Sequence, residues 1–214
     1  MSDRPNPEAL LLLSTRCPHC AAVLSHLGEL VKAGEIERLE VINIEHRPQL
    51  AEALGVRSVP WMRLGPFELT GLRGLEELRR WAGAAGTPQG LADYLRELLK
   101  EGELAKANTL VEGEVDNLVR LVGLLGEPDI ELSVRIGIGA IVEGLEEDPR
   151  LAAAAEPLAR LTEAPEAAIR GDAAHLLSYT HSPRAEPLLR RLLSDIDPDV
   201  REIAAEGLAR LGEP

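Results

Sequence analysis

Residues 9–20 read ALLLLSTRCPHC, an apolar run that leads directly into a pair of cysteines. The run from Ala9 to Ser14 has the length and composition of a fully buried strand. From Cys20 onward, apolar residues recur at steps of three and four until Gly34, a pattern that predicts an amphipathic helix ended by a glycine. The predicted order is therefore strand, cysteine motif and helix.

Short elements of both types continue to about residue 83. An apolar, β-branched segment predicts a second buried strand, and turn residues separate the elements that follow it. In chain order we expect a strand over Leu39 to Ile44, a helix over Pro48 to Leu54, strands over Trp61 to Leu64 and Phe67 to Leu69, and a helix from Leu75 to about Ala82. Together these elements predict a small α/β domain.

The motif Cys17-Pro18-His19-Cys20 combines two thiols at the junction of a strand and a helix. We expect the Cys17 sulfur at the positive end of the helix dipole, a setting that lowers the pKa of a cysteine from about 8.5 to between about 3.5 and 7.5. Cys17 would then attack a disulfide, and Cys20, one turn later, would resolve the mixed disulfide. Pro18 suits a first helical turn, and protonated His19 adds positive charge beside the thiolate.

Two other interpretations of the cysteine pair stay open beside the redox one. A structural zinc site normally needs four ligands, and the sequence has no second cysteine pair. His19 and His26 could complete a metal site only if the first helix unwound. The pair could also be an inert structural disulfide. We favour redox chemistry and expect no metal and no cofactor beyond the redox-active disulfide.

With this motif after its first strand, the segment 8–83 resembles the thioredoxin superfamily. The resemblance places Val59-Pro60 before the third strand, and it implies that Pro60 is cis and faces the cysteines. Val59 would then be the gatekeeping residue, and Val59 and Pro60 would bind substrate. The dipeptide Pro18-His19 is typical of the periplasmic disulfide-oxidase branch, whereas the small size is similar to glutaredoxins.

Two departures from the family patterns bear on the electron donor. Arg16 stands where thioredoxins have tryptophan, and the first strand has no buried acid. Thr70-Gly71-Leu72 partly matches the glycine pair with which glutaredoxins hold glutathione. Glutathione is therefore a candidate electron donor, while reduction by thioredoxin reductase is not expected.

Residues 83–90 are rich in glycine and helix breakers and lack an apolar period, which indicates a domain boundary. We expect one domain over residues 1–86 and a helical domain over 87–214. In the second, three segments place proline and an acid before a β-branched residue and an arginine. These segments are Pro128 to Arg135, Pro165 to Arg170 and Pro198 to Arg201.

Small and apolar residues follow each of these three arginines, which are 35 and 31 residues apart. The pattern resembles HEAT-type α-solenoid repeats over about residues 90–214, most clearly from about residue 128. The resemblance implies stacked helix pairs and a protein-binding surface. We expect the repeat arginines to bond neighbouring helices.

The charge distribution points towards a protein partner. The chain carries a net charge of -13, and residues 87–214 hold 13 basic and 25 acidic side chains. That excess repels phosphate backbones, and aromatic residues for base stacking are few, so nucleic acid is not expected. A protein partner with a basic docking surface is more compatible with this acidic charge than nucleic acid is.

The beginning of the sequence predicts a cytoplasmic protein. The apolar run Ala9 to Leu13 is too short to span a membrane, and the leader Met1 to Glu8 lacks the pattern of a secretory signal. His46, His175 and His181 receive no functional role. For Trp61, contact with substrate and a packing role both stay open.

Three functions follow from these patterns. The first is a thiol-disulfide oxidoreductase that acts on a protein recruited by the repeats. The second is a redox-sensing adaptor, in which the thiol pair regulates protein binding by the repeats. The third, a scaffold with incidental cysteines, is the least favoured. The sequence identifies neither the client nor the direction of electron flow.

Overall fold

The protein is described from a computed structural model, which covers residues 6–127 and 129–212. Pro128, the first residue of the earliest repeat motif, lies outside the described residues, as does most of the leader. The chain divides into two compact units, Met1–Leu91 and Ala92–Pro214. None of the described helices is both long and apolar enough to cross a membrane.

A mixed four-stranded sheet forms the centre of the first unit. Its strands are β1 (Glu8–Leu13), β2 (Arg38–Asn43), β3 (Trp61–Leu64) and β4 (Phe67–Thr70). They lie in the order β2-β1-β3-β4, with β1 parallel to β2 and antiparallel to β3, and with β4 antiparallel to β3. Each strand begins within one residue of its predicted position.

Three helices accompany the sheet: α1 (Cys20–Ala33), α2 (Pro48–Ala53) and α3 (Leu75–Ala84). α1 ends at the predicted glycine, because Gly34 takes the left-handed conformation with φ 74° and its N–H donates to carbonyls of the last turn. A left-handed residue there costs glycine little, since it has no Cβ. The prediction of this helix is confirmed.

Because successive side chains of a strand point to opposite faces, the sheet has apolar residues buried on both of its faces. On one face, Leu12, Ile42 and Trp61 form an apolar cluster, and Leu50 and Leu54 pack against it from α2 and the residue after it. On the other face, the Phe67 ring packs at a tilt against Trp81 of α3, with 5.0 Å between ring centroids. Trp61 is only 3% exposed, so it has a packing role.

Residues 83–90, where the sequence indicates a domain boundary, are largely helical, and the two compact units divide close by, between Leu91 and Ala92. Gly83 and Ala84 complete α3, and α4 (Pro88–Lys100) begins only three residues after that helix ends. The Thr87 hydroxyl accepts from the Gly90 N–H at 2.8 Å, which caps α4, and Pro88 follows at the first helical position. Threonine and proline are favoured at these positions, because they satisfy or avoid free N–H groups.

The second unit is helical throughout the part that the structure describes. After α4 the helices are α5 (Leu104–Gly113), α6 (Val115–Gly123), α7 (Leu132–Gly144), α8 (Ala155–Leu161), α9 (Ala167–Leu177), α10 (Ala185–Leu192) and α11 (Pro198–Gly212). Short 3-10 segments, Leu124–Gly126 and Pro149–Ala154, follow α6 and precede α8.

Small residues allow the last helices to pack closely. α8 contacts α9, α10 contacts α11, and α9 contacts α11. A Cβ at Gly171 of α9 would lie 3.1 Å from the Ile203 side chain of α11, and a Cβ at Gly207 would lie 3.2 Å from Leu189. The predicted stacking of helices through small residues is confirmed for this part of the unit.

Candidate functional site

Cys17 and Cys20 form a disulfide between the end of β1 and the start of α1. The two Cα atoms are 5.5 Å apart. Cys20 is the first residue of α1 and is 3% exposed, whereas Cys17 lies three residues earlier and is half-buried. The bond therefore joins the Cys17 sulfur to a residue at the amino end of the helix, and Cys17 is the more accessible of the two cysteines.

Pro18 and His19 lie in the turn that precedes α1, and both are exposed. His19 is the residue before the helix, and its side chain makes no capping hydrogen bond. Pro18 therefore stands outside the helix rather than in its first turn, because the first helical residue is Cys20. His19 keeps its predicted place beside the cysteines, open to solvent.

The segment that precedes β3 faces the disulfide. The Val59-Pro60 peptide bond is cis, as the resemblance implied. The Cys17 sulfur lies 3.5 Å from the carbonyl oxygen of Val59, and Pro60 is buried. The half-buried Val59 side chain packs against the cluster of Leu12, Ile42 and Trp61. The four predicted positions Cys17, Cys20, Val59 and Pro60 are thus brought to one end of the sheet.

The end of β4 lies alongside the same proline. The Gly71 N–H donates to the Pro60 carbonyl at 2.8 Å, and Gly71 has a φ of 86°. Thr70 and Leu72 on either side are exposed. The segment that partly matches the glutathione-binding glycine pair is therefore close to the cis proline, with one of its N–H groups bonded to the backbone.

A polar network that the sequence reasoning missed supports the turn before Cys17. The Glu45 carboxylate accepts hydrogen bonds from the Thr15 N–H and the Thr15 hydroxyl, each at 3.0 Å. The Asn43 amide donates to the Thr15 hydroxyl at 3.1 Å and accepts from the Glu45 N–H at 2.9 Å. Residues that follow two parallel neighbouring strands meet at one edge of a sheet, but the parallel pairing of β1 and β2 comes from the structure and not from a sequence pattern.

Nothing around the disulfide suggests a metal site in the described residues. Between residues 6 and 127 and between 129 and 212, no three His, Cys, Asp or Glu side chains group so that they could hold a metal ion. His26, the histidine considered with His19, has its Nδ1 3.0 Å from the Arg73 carbonyl oxygen. This contact ties α1 to the segment that leads into α3.

In the helical unit, Arg135 and Arg170 bond to the next repeat, whereas Arg201 bonds within the loop that precedes its own helix. Arg170 of α9 donates to both carboxylate oxygens of Asp195, each at 2.8 Å, and to two carbonyls of the preceding turn. The two side chains are only 11% and 8% exposed. The hydrogen bonds from Arg170 lower the pKa of Asp195 to about 2. The expectation that Arg170 bonds a neighbouring helical pair is confirmed.

The other two repeat arginines have different partners. Arg135 of α7 pairs with Asp172 of α9 at 2.7 Å. Asp195 lies six residues before Arg201, and the residue six positions before Arg170 is Ala164. The loop before α9 therefore offers Arg135 no aspartate equivalent to Asp195. Arg201 of α11 donates to the carbonyls of Asp195 and Ile196 in its own loop, at 2.8 and 3.1 Å.

The exposed surface of this unit combines apolar and acidic groups. Leu132 and Ile136, one turn apart on α7, are 65% and 63% exposed. At the other end of α7, a Glu143 carboxylate oxygen lies 2.9 Å from the Nε2 of His175 in α9.

Comparison with known proteins identifies part of the helical unit. The family model described as HEAT repeats matches residues 146–214, which include α8 to α11. A search of curated proteins finds no match to the chain. Residues 146–214 therefore match HEAT repeats in sequence, and the structure shows packed helices in the same region.

Proposed function

We propose that the chain is a thiol-disulfide oxidoreductase whose first unit has a thioredoxin-like fold and whose HEAT-type repeats recruit a protein client. The observation that carries the proposal is the Cys17–Cys20 disulfide at the start of α1, with the Cys17 sulfur 3.5 Å from the Val59 carbonyl. Strand order β2-β1-β3-β4 and the buried Pro60 beside the sulfur support the choice of fold.

The reaction follows from the unequal exposure of the two cysteines. In the reduced chain, the Cys17 thiolate attacks one sulfur of a client disulfide, and the client disulfide breaks as a mixed disulfide forms. The released client thiolate takes up a proton. The Cys20 thiolate then attacks the Cys17 sulfur, releases the second client thiol and leaves the Cys17–Cys20 disulfide. Two electrons pass from the chain to the client.

The Val59 carbonyl and the backbone around Pro60 have a role in binding. An extended client segment that lies along Val59 and Pro60 would bring its sulfur next to Cys17, since the Val59 carbonyl oxygen already lies 3.5 Å from the Cys17 sulfur. Two molecules of glutathione would supply the electrons that reduce the pair again. If an oxidant re-forms the Cys17–Cys20 disulfide instead, the same steps run in reverse and a client dithiol is oxidised. The geometry therefore serves reductase and oxidase alike.

The repeats are assigned the task of partner recruitment. Helical repeats stack into extended surfaces that bind proteins, and the region 87–214 carries nearly twice as many acids as bases. A client with a basic docking surface complements that charge. The exposed Leu132 and Ile136 provide apolar contact area on the same unit.

The test uses the full chain and a peptide that carries one intramolecular disulfide. With excess glutathione, the native chain should reduce many peptides per molecule. Cys17→Ser should abolish turnover, because the accessible thiol is removed and the remaining Cys20 thiol is only 3% exposed. In the absence of glutathione, which would itself cleave the mixed disulfide, Cys20→Ser should stop at a mixed disulfide with one peptide per chain, reversible by dithiothreitol. Absence of both turnover and the trapped peptide would reject the oxidoreductase.

The same materials separate the redox-sensing adaptor. An adaptor would turn over negligibly, yet its affinity for a client would differ between the oxidised and the reduced chain. Substrate reduction by the native chain at equal client affinity in both states would favour the enzyme. If the double replacement of both cysteines changed neither turnover nor binding, only a scaffold would be left.

A further inference from the structure

The turn that carries Cys17 is bonded to the neighbouring loop. β1 ends at Leu13 and its parallel neighbour β2 ends at Asn43, so both loops leave the sheet at one edge. The Ile44 N–H donates to the Leu13 carbonyl at 2.9 Å and extends the pairing beyond the strands. The Cys17 N–H then donates to the Ser14 carbonyl at 3.3 Å, which closes a tight turn.

Thr15 is the residue of this turn that side chains hold. Its N–H and its hydroxyl both donate to the Glu45 carboxylate. Its hydroxyl oxygen also accepts from the Asn43 amide. A hydroxyl has one donor and two acceptor positions, so its two bonds, one donated to Glu45 and one accepted from Asn43, are compatible. Hydrogen bonds to an ionised carboxylate are stronger than those between neutral groups.

Glu45 is itself oriented by the residue that ends β2. The Asn43 side-chain oxygen accepts from the Glu45 N–H at 2.9 Å, while the amide of the same side chain donates to Thr15. Asn43 thus bonds to both Thr15 and Glu45. The three residues form a closed ring of contacts around the turn before Cys17.

We propose that Glu45 is a positioning residue that keeps Cys17 beside the Val59 carbonyl, an inference that rests on the proposed oxidoreductase function. In the oxidised chain, the disulfide also ties Cys17 to Cys20. When the pair is reduced this covalent tie is gone. The turn then depends on its own hydrogen bond and on the Glu45 contacts with Thr15. The effect is therefore expected in the reduced, attacking state.

Four variants of the full chain separate positioning from a general loss of charge. Glu45→Ala removes both acceptors, while Glu45→Gln keeps one acceptor and can donate to the Thr15 hydroxyl oxygen. Thr15→Val removes the hydroxyl and keeps the shape of the side chain. Glu40→Ala is the matched control, because Glu40 is an exposed acid on β2. Circular dichroism checks that every variant is folded.

The first measurement is the alkylation rate of Cys17 by iodoacetamide in the reduced chain, followed against pH in the Cys20→Ser background. The second is kcat and KM with the disulfide peptide. Glu45→Ala should lower kcat/KM about three- to tenfold, a loss expected for one or two exposed bonds to a carboxylate. Glu45→Gln should stay within about twofold of the native chain, and Glu40→Ala should not differ from it.

Pairing the variants tests whether Glu45 acts through Thr15. If it does, Glu45→Ala combined with Thr15→Val should lose no more than Glu45→Ala alone, because contacting residues are not additive. Independent losses that add would overturn the proposal. Equal alkylation profiles and equal kcat/KM for Glu45→Ala and Glu40→Ala would also overturn it.

Failure of the proposed function looks different. A native chain without turnover, together with no trapped peptide on Cys20→Ser, would reject the oxidoreductase. The alkylation profiles need no turnover and still compare the variants. A Glu45→Ala profile that departs from those of the native chain and Glu40→Ala would then support positioning by itself. Rescue of the profile by Glu45→Gln would identify the hydrogen bonds rather than the charge as the cause.

Discussion

The Cys17 sulfur and the Val59 carbonyl oxygen lie 3.5 Å apart, although the two residues are 42 positions apart in the sequence. They meet because β1 and β3 are neighbours in the sheet, with Leu12 opposite Trp61. The turn after β1 and the segment before β3 therefore leave the same edge. The proposed reaction therefore requires a client segment that can lie beside Val59.

Replacement of Val59 tests whether its side chain acts as a gatekeeper. Val59→Ala and Val56→Ala should each lower the free energy of unfolding by about 1 kcal/mol, since both half-buried side chains pack on the same cluster. Only Val59→Ala should raise KM for the disulfide peptide, by about threefold. Equal KM values for the two variants would assign Val59 a packing role alone.

Two glycines of the first helix should respond in opposite directions to alanine. Gly34 has a φ of 74° at the end of α1, so Gly34→Ala should lower the free energy of unfolding by about 1 to 2 kcal/mol. Gly28 lies within α1, and a Cβ there meets nothing within 4 Å. Gly28→Ala should raise it by about 0.5 to 1 kcal/mol. Urea unfolding measures both, and the same sign for both would contradict this account of the helix end.

The Arg170–Asp195 pair should make the helical unit sensitive to acid. The pKa of Asp195 is about 2 in the folded chain and about 3.9 in an unfolded one. Its stabilising contribution is therefore complete above about pH 4 and is lost as the pH falls through about 2.

Thermal unfolding of the native chain and Asp195→Asn, followed against pH, checks this pair. The native chain should be more stable near neutral pH, and the difference should shrink as the pH falls from about 4 towards 2. Glu163→Gln is the control, because Glu163 forms an exposed pair with Arg191 and should change little at any pH. A difference between native and Asp195→Asn chains that is constant with pH would contradict the assigned ion pair.

Salt should weaken the binding of a client to the repeats if charge guides recruitment. The Kd of a client identified with the Cys20→Ser chain should rise about tenfold when ionic strength increases from about 0.05 to about 0.5 M. Glu202→Gln with Glu206→Gln, which neutralises two exposed acids of α11, should also weaken binding. Glu40→Gln in the first unit should leave the Kd unchanged. A Kd independent of salt would exclude a basic docking surface.

The strands and the first helix could be predicted because local patterns determine them. The apolar run before Cys17 and the spacing from Cys20 to Gly34 are sufficient without tertiary information. The resemblance to thioredoxins supplied the contact between Val59-Pro60 and the cysteines, since no local pattern connects residues so far apart.

Other features depend on contacts that sequence patterns indicate poorly. The residues around Thr87 indicated a domain boundary but not a helix start, because glycines concealed the Thr-Pro start that the Thr87 hydroxyl caps. The Glu45 contacts with Thr15 depend on the parallel register of β1 and β2, which pairs Leu13 with Asn43.

The reduction potential of the Cys17–Cys20 pair, measured by equilibration of the full chain with glutathione buffers, tests the redox role most directly. Catalytic pairs fall between about -270 and -120 mV, and the exposed His19 beside the pair favours the less negative part of that range. We therefore expect a value less negative than about -270 mV. A value below about -300 mV, the range of structural disulfides, would contradict a catalytic role.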